Sequence, residues 1–318
     1  MNKTLAYIFP GQGAQFVGMG QDFAAAFPVA KETFEEADDQ LKRSLSRVIF
    51  EGPEAELTRT DQSQLAIFVT SVAILRVLNQ ITPQVKPGVT AGLSLGEYTA
   101  LYQSGMLDFA SCLELVERRG HFMSEACDLH KGTMAVVMGM SVNDVEQLVR
   151  DLALPHDLWA ANFNCPGQVV VSGTLKGIEA AKEEALKRGA RRVLPLQVHG
   201  AFHSGLMESA RQQLNPYVQD APLKTTSMHL VMNVPGDFVA DAIDVRRYLV
   251  DQVTSPVRWE QGVRAMQQKG VTTYVEIGPG KTLTGMNKRI GIEGQFMSLG
   301  QVEDLRHWEQ EVEAWSKC

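Results

Sequence analysis

The chain has few cysteines, and no two are spaced to share a metal or a bridge. Cys112, Cys127, Cys165 and Cys318 are scattered without a CxxC pair. That excludes a zinc ribbon and a disulfide scaffold, and points to buried or spare thiols in a reducing compartment. Positive charge is not in excess either: 30 Lys and Arg stand against 37 Asp and Glu, a net −7. With no lysine-arginine stripe and no aromatic platform for bases, nucleic acid is not an expected partner. The apolar run in MNKTLAYIFPGQG is too short for a signal peptide, and no stretch is expected to approach a spanning helix, so no membrane partner and a cytoplasmic location are expected. Internal repeats and low-complexity linkers are missing as well. The Gly11-Gln12-Gly13 turn lacks the third glycine and the downstream acid of a dinucleotide fingerprint.

With 318 residues and 44% hydrophobic content, the chain suits one α/β domain or a two-part body with a sizeable core. Its organising stretch is VTAGLSLGEYTALYQSG, Val89 to Gly105. A short apolar run enters Gly92-Leu93-Ser94-Leu95-Gly96 and leaves into a helix-compatible segment. A tight strand-to-helix turn of this kind lifts a serine oxygen clear of the backbone, and only glycine avoids clashes at its flanks. The helix that follows directs its free N–H groups and positive dipole end at the place where a reacting carbonyl develops negative charge.

Leu5 to Phe9 is expected to be a buried strand that breaks at Pro10-Gly11-Gln12-Gly13, on the sheet edge where open α/β sheets place ligands. Helical segments are expected around Phe27 to Leu45, and a buried helix over Gln64 to Leu78. Asp108 is a candidate cap for a helix to Ala126. On that helix Phe109, Cys112, Val116 and Arg119 share one arc, while Glu114 and Arg118 lie opposite as an i,i+4 pair. A guanidinium on the apolar stripe requires an anion, either an internal carboxylate or a substrate carboxylate. Lys131 to Val198 follows the order βαββαβ: strands Met134–Met138, Trp159–Phe163, Gln168–Ser172 and Arg192–Val198, with helices Asn143–Leu152, for which Ser141 is a candidate cap, and Gly177–Arg188. His199 and His203 have HxxxH spacing, but they sit at a strand-to-helix junction with no third ligand, so no metal is expected. His203, just before the candidate cap Ser204, is placed either as a general base or as a histidine satisfied at a helix start. Further α/β elements follow to Trp315.

Taken together, FPGQGAQ, GLSLGEY, LVERRG, NFNCPGQVVVSG, GAFHSGLM and EIGPGKTL resemble the malonyl-CoA:acyl carrier protein transacylases of fatty acid synthesis, in order and over nearly the whole chain. The resemblance implies an α/β fold: an α/β-hydrolase-like large subdomain, residues 1–127 and 199–318, with an inserted ferredoxin-like small subdomain, residues 128–198, and a cleft between them. Ser94 matches the nucleophile, His203 its base and Arg119 the clamp on the malonyl carboxylate. Gln12 and Leu95 match the positions whose backbone N–H groups form the oxyanion hole, and Gln252, in DQVTSPVRW, matches a glutamine of the active-site rim. The family histidine is oriented through a backbone carbonyl, a role open to Gln252 or its neighbours.

The implied reaction moves a malonyl group from malonyl-CoA to Ser94 and on to the phosphopantetheine thiol of holo acyl carrier protein, with no cofactor, in a monomer. The alternatives are a trans-acting polyketide synthase acyltransferase and a serine thioesterase or esterase. Leu93 departs from the pattern, since the family usually has histidine before the serine. Asn164 and Lys281 are assigned to structure. Lys187, Arg188, Arg191, Arg192, Lys288 and Arg289 are candidates for docking an acidic carrier protein.

Overall fold

Strand β1, Thr4–Phe9, divides its side chains between two cores: Leu5, Tyr7 and Phe9 pack to one face, Ala6 and Ile8 to the other. Alternation puts successive residues on opposite faces, and a strand covered on both sides must be apolar throughout. The computed structural model describes residues 4–316, so Cys318 and the first three residues lie outside it. β1 sits inside a six-stranded sheet with β2 (Val89–Gly92), β7 (His229–Met232), β8 (Asp237–Val239), β9 (Val271–Ile277) and β10 (Gln295–Leu299). The order is β10-β9-β1-β2-β7-β8, parallel except for the β7–β8 hairpin.

A second, antiparallel sheet holds β3 (Thr133–Met138), β4 (Leu158–Cys165), β5 (Gln168–Gly173) and β6 (Arg192–Pro195) in the order β4-β5-β3-β6. Helices Val142–Leu152 and Leu175–Lys187 pack on one face of it through Val145, Leu148, Ile178 and Ala181. From the other face Met134 and Val136 join the main core. β4 is tied to the segment that precedes helix Trp259–Gln268, where Phe163 N–H donates to the Val257 carbonyl and Val257 N–H to that of Ala161, both at 2.8 Å.

The caps Asp108 and Ser141 accept from the backbone N–H groups of Ser111 and Asp144, as their sequence positions suggested. Other boundaries moved. The expected Arg192–Val198 strand stops at Pro195, and the span from Phe27 to Leu45 resolves into helices Pro28–Leu41 and Leu45–Glu51. The helix expected over Gln64–Leu78 runs from Thr60 to Ile81, and its 22 residues do reach spanning length, against the expectation that no stretch would. Its most apolar window is 78% buried, packed chiefly against helices Phe109–Leu129 and Pro28–Leu41, so its length serves the core. Cys112, Cys127 and Cys165 are free and buried.

The elbow explains its own glycines. A Cβ on Gly92 would lie 1.9 Å from the Gly96 carbonyl carbon, and one on Gly96 would lie 2.2 Å from the Phe9 carbonyl oxygen. Backbone, which cannot swing aside, occupies both places. Gly285, inside helix Thr282–Ile290, meets nothing within 4 Å and has no positive φ. Gly96→Ala should therefore destabilise by about 2–3 kcal/mol or more, whereas Gly285→Ala should stabilise by about 0.4–1 kcal/mol. Urea unfolding of the two variants checks this contrast; equal effects would contradict it.

Candidate active site

Three adjacent parallel strands end at one spot. β1 delivers Gln12, β2 delivers Ser94 and β7 delivers Asn233, on the carboxyl edge where open α/β sheets bind ligands. Ser94 has φ 51 and His203 φ 57. A left-handed backbone at two non-glycine residues costs of order 1–3 kcal/mol each and persists only where surrounding bonds hold it. Here Ser94 N–H donates to Asn233 Oδ1 at 2.6 Å, and Asn233 Nδ2 donates to the Gly92 carbonyl at 2.7 Å. Neither the Gln12 nor the Leu95 amide N–H is taken up by an acceptor among the described residues, so both remain available at the turn.

Ser94 Oγ lies 2.9 Å from His203 Nε2, and His203 Nδ1 lies 2.8 Å from the Gln252 carbonyl oxygen. A carbonyl only accepts, so Nδ1 carries the proton and Nε2 offers a lone pair to the serine. Ser204 Oγ accepts from Leu206 N–H at 3.2 Å; it opens a single 3-10 turn, Gly205–Met207, before helix Glu208–Asp220. The His203 imidazole is held down at about 4, chiefly by burial and secondly by the charge of Arg119.

Arg119 comes from the buried stripe of helix Phe109–Leu129 and is 1% exposed. Its Nη1 donates to Gln64 Oε1 at 2.5 Å, and its Nη2 to Ser94 Oγ at 3.1 Å and Gln252 Oε1 at 2.9 Å. Three of its five donors are thus used; Nε has no partner, and no carboxylate lies within ion-pair distance among the described residues. Arg118, by contrast, faces outward near Glu114 at 4.0 Å.

Gln252 is not at a rim. It is fully buried beneath Ser94, where its Nε2 donates to the Ser94 carbonyl at 3.0 Å and to Glu97 Oε2. Glu97 and Asn233, neither of which the sequence pattern singles out, link this amide to the Ser94 turn. Glu97 sits three residues after Ser94 on the first turn of helix Gly96–Gln103; its Oε1 accepts from Asn233 N–H at 2.5 Å. Burial lifts its carboxyl to about 8, against the pull of those two hydrogen bonds and of Arg119. A carboxylate one turn beyond the nucleophile was the signal for Glu97. For Asn233 it was a polar residue at a strand's carboxyl end.

A cleft of about 250 Å³ opens above these groups, walled by Leu93, Leu283 and Met286 on one side and Met134, Val136 and Val170 on the other. Leu93 is half-buried in this wall. Asn164, assigned to structure from sequence, also lines the cleft, with its side-chain oxygen unpartnered among the described residues. Lys281 is exposed. Arg188 is tied to Asp151 and Glu184, and Lys187 lies near Glu184, which removes both from the free cations.

The arrangement matches known proteins. The acyl transferase domain profile matches residues 6–297. A malonyl CoA-acyl carrier protein transacylase of Bacillus subtilis is 42% identical over 304 residues, 95% of either chain. The crystal structure of an acyl carrier protein S-malonyltransferase from Vibrio cholerae superposes with a TM-score of 0.91 at 36% identity, covering 96% of this chain and 99% of the other. A malonyl-transacylase solved in complex with its type II polyketide synthase acyl-carrier protein gives 0.92 at 37% identity, with 96% and 98% covered.

Because an imidazole can accept a proton only when neutral, the lowered His203 value leaves Nε2 free to accept from Ser94 down to about pH 4. The rate at which a fluorophosphonate labels Ser94 should hold from pH 8 to about 5 and halve near 4. A midpoint at the ordinary histidine value, about 6.5, would contradict the buried imidazole.

Proposed function

The chain belongs to the acyl transferase domain family, and we propose that it transfers the malonyl group of malonyl-CoA to holo acyl carrier protein through a malonyl-Ser94 ester. The observation that carries this reading is Arg119: a buried guanidinium with no carboxylate against it, 3.1 Å from Ser94 Oγ. A free acyl carboxylate completes it, and malonyl has one where acetyl has none.

In the first step His203 Nε2 takes the Ser94 proton as Oγ attacks the thioester carbonyl. The oxyanion is received by the Gln12 and Leu95 amides, which need no reorganisation because they are already unpaired. The C–S bond breaks, and the CoA sulfur leaves with the proton from His203. In the second step the phosphopantetheine thiol gives its proton to His203 and attacks the ester, and Ser94 leaves with that proton. Gln252 acts from below through its carbonyl on His203 and its side chain on Arg119. Leu93 supplies dispersion and excludes water on the acyl side.

The architecture behind the reaction is an α/β-hydrolase-like subdomain, residues 1–127 and 199–318, with a ferredoxin-like insert, residues 128–198. The antiparallel order β4-β5-β3-β6 with two helices on one face supports the insert. We place the protein in the cytoplasm as a monomer that serves fatty acid elongation. Arg191, Arg192, Lys288 and Arg289 are the remaining candidates for meeting the acidic carrier protein.

Ser94→Ala should abolish the malonyl adduct seen by mass spectrometry. Arg119→Ala should cost malonyl transfer about 2–5 kcal/mol, roughly thirtyfold or more in rate, and spare acetyl transfer. A surviving adduct sinks the nucleophile, and an unchanged malonyl-to-acetyl ratio sinks the clamp. Release of free malonate in preference to the carrier thioester would favour the hydrolase alternative.

Leu93→His introduces one neutral hydrogen bond at most, so malonyl transfer should change by no more than about tenfold. Single-turnover acylation by malonyl-, methylmalonyl- and acetyl-CoA in both forms measures it; a far larger gain would mean that malonyl is not the native acyl group.

A further inference from the structure

Glu97 has no place in the transfer chemistry, yet it touches both residues that hold the reacting groups. Asn233, which fixes the strained Ser94 backbone, donates its own N–H to Glu97 Oε1. Gln252, which orients His203 and Arg119, donates Nε2 to Glu97 Oε2. The Gln252 amide can face two ways, and the Glu97 carboxylate adds to the Ser94 carbonyl and the Arg119 guanidinium in holding one of them. Its NH2 group gives one hydrogen to the Ser94 carbonyl and the other to Glu97, which leaves Oε1 for Arg119 Nη2 at 2.9 Å. Turned over, the amide would point NH2 at the guanidinium, donor against donor.

We propose that Glu97 is a positioning residue that acts through Gln252: as an acceptor-only carboxylate it keeps the Gln252 carbonyl oxygen on Arg119, and so keeps Arg119 aimed at the carboxylate of an incoming acyl group. The inference rests on the reading of Arg119 given above. Both donors that reach Glu97 are met best by an ionised, acceptor-only carboxylate. A protonated one would offer a hydrogen to Gln252 and favour the turned amide. Among the described groups around it, burial lowers the Arg119 guanidinium of helix Phe109–Leu129, which starts high enough to stay charged; His203 is already neutral above about pH 4, and burial pushes Tyr98 and Cys112 upward, out of the neutral range. Glu97, lifted to about 8, is the one that titrates near neutrality. Its carboxylate form is gained as pH rises through that value. Acyl selection should therefore sharpen with rising pH, while the base and the nucleophile, common to every acyl group, cancel from a ratio.

The experiment is rapid-quench acylation of Ser94 by malonyl-CoA and by acetyl-CoA, from about pH 6 to pH 9, in the wild-type chain and in Glu97→Gln. The wild-type malonyl-to-acetyl ratio should rise roughly fivefold or more, with a midpoint near 8. Glu97→Gln, similar in size but carrying an N–H donor, should give a flat ratio, below the wild-type value at pH 9 by a similar factor. A flat wild-type ratio, or a variant ratio equal to the wild type at pH 9, overturns the proposal. If Glu97→Gln does not fold, as judged by circular dichroism, the wild-type profile alone decides. Arg119→Ala separates the two failures: if it keeps the wild-type ratio, the clamp falls and Glu97 with it. If Arg119→Ala loses the ratio but the Glu97 arms fail, only the role of Glu97 falls.

Discussion

A guanidinium sealed inside a protein with no carboxylate against it is the constraint around which this cleft is arranged. Burial of an unpaired charge is costly enough that proteins normally pair it, neutralise it or expose it. Arg119 is instead surrounded by neutral oxygens from Gln64, Gln252 and Ser94. These satisfy three of its hydrogens without cancelling its charge, and the nearby Glu97 is held one amide away. Such a site is stable as a scaffold and incomplete as an electrostatic unit, which is what a selective anion subsite requires. The same guanidinium acts on Ser94 and His203: it adds to burial in holding the His203 imidazole neutral, and it donates to the Ser94 oxygen.

The backbone carries an equal share. Ser94 and His203 both stand in left-handed conformations, one held by Asn233 and the elbow glycines, the other followed by the Ser204 cap. The two sheets divide the labour: the parallel one brings Gln12, Ser94 and Asn233 to a single edge, and the antiparallel one provides the wall of Met134, Val136 and Val170 that closes the cleft.

Much of this was legible in the sequence because it is local. Gly92 and Gly96 mark a turn that only glycine fits, Asp108 and Ser141 announce helix starts, and the arc of Phe109, Cys112, Val116 and Arg119 already places a charge on an apolar stripe. What escaped is long-range. Glu97 meets Asn233 across 136 positions and Gln252 across 155, distances over which no periodicity speaks. For the same reason Gln252, placed at a rim by resemblance, lies beneath the serine, and Asn164 turns out to line the cleft. The end of β6 differs for a simpler reason: the segment after Pro195 stays apolar at Leu196 and Val198, and Leu196 N–H still donates to the Met134 carbonyl, but the regular strand has ended and both side chains line the cleft.

If the acyl carboxylate completes Arg119, then its arrival on Ser94 should stabilise the whole fold, since it relieves a charge that the free protein leaves unpaired. The direct measurement is the unfolding midpoint of three forms of the same chain: free, acetylated on Ser94 and malonylated on Ser94. The malonyl form should melt above the free protein and the acetyl form close to it. Equal midpoints for the two acyl forms would contradict the account.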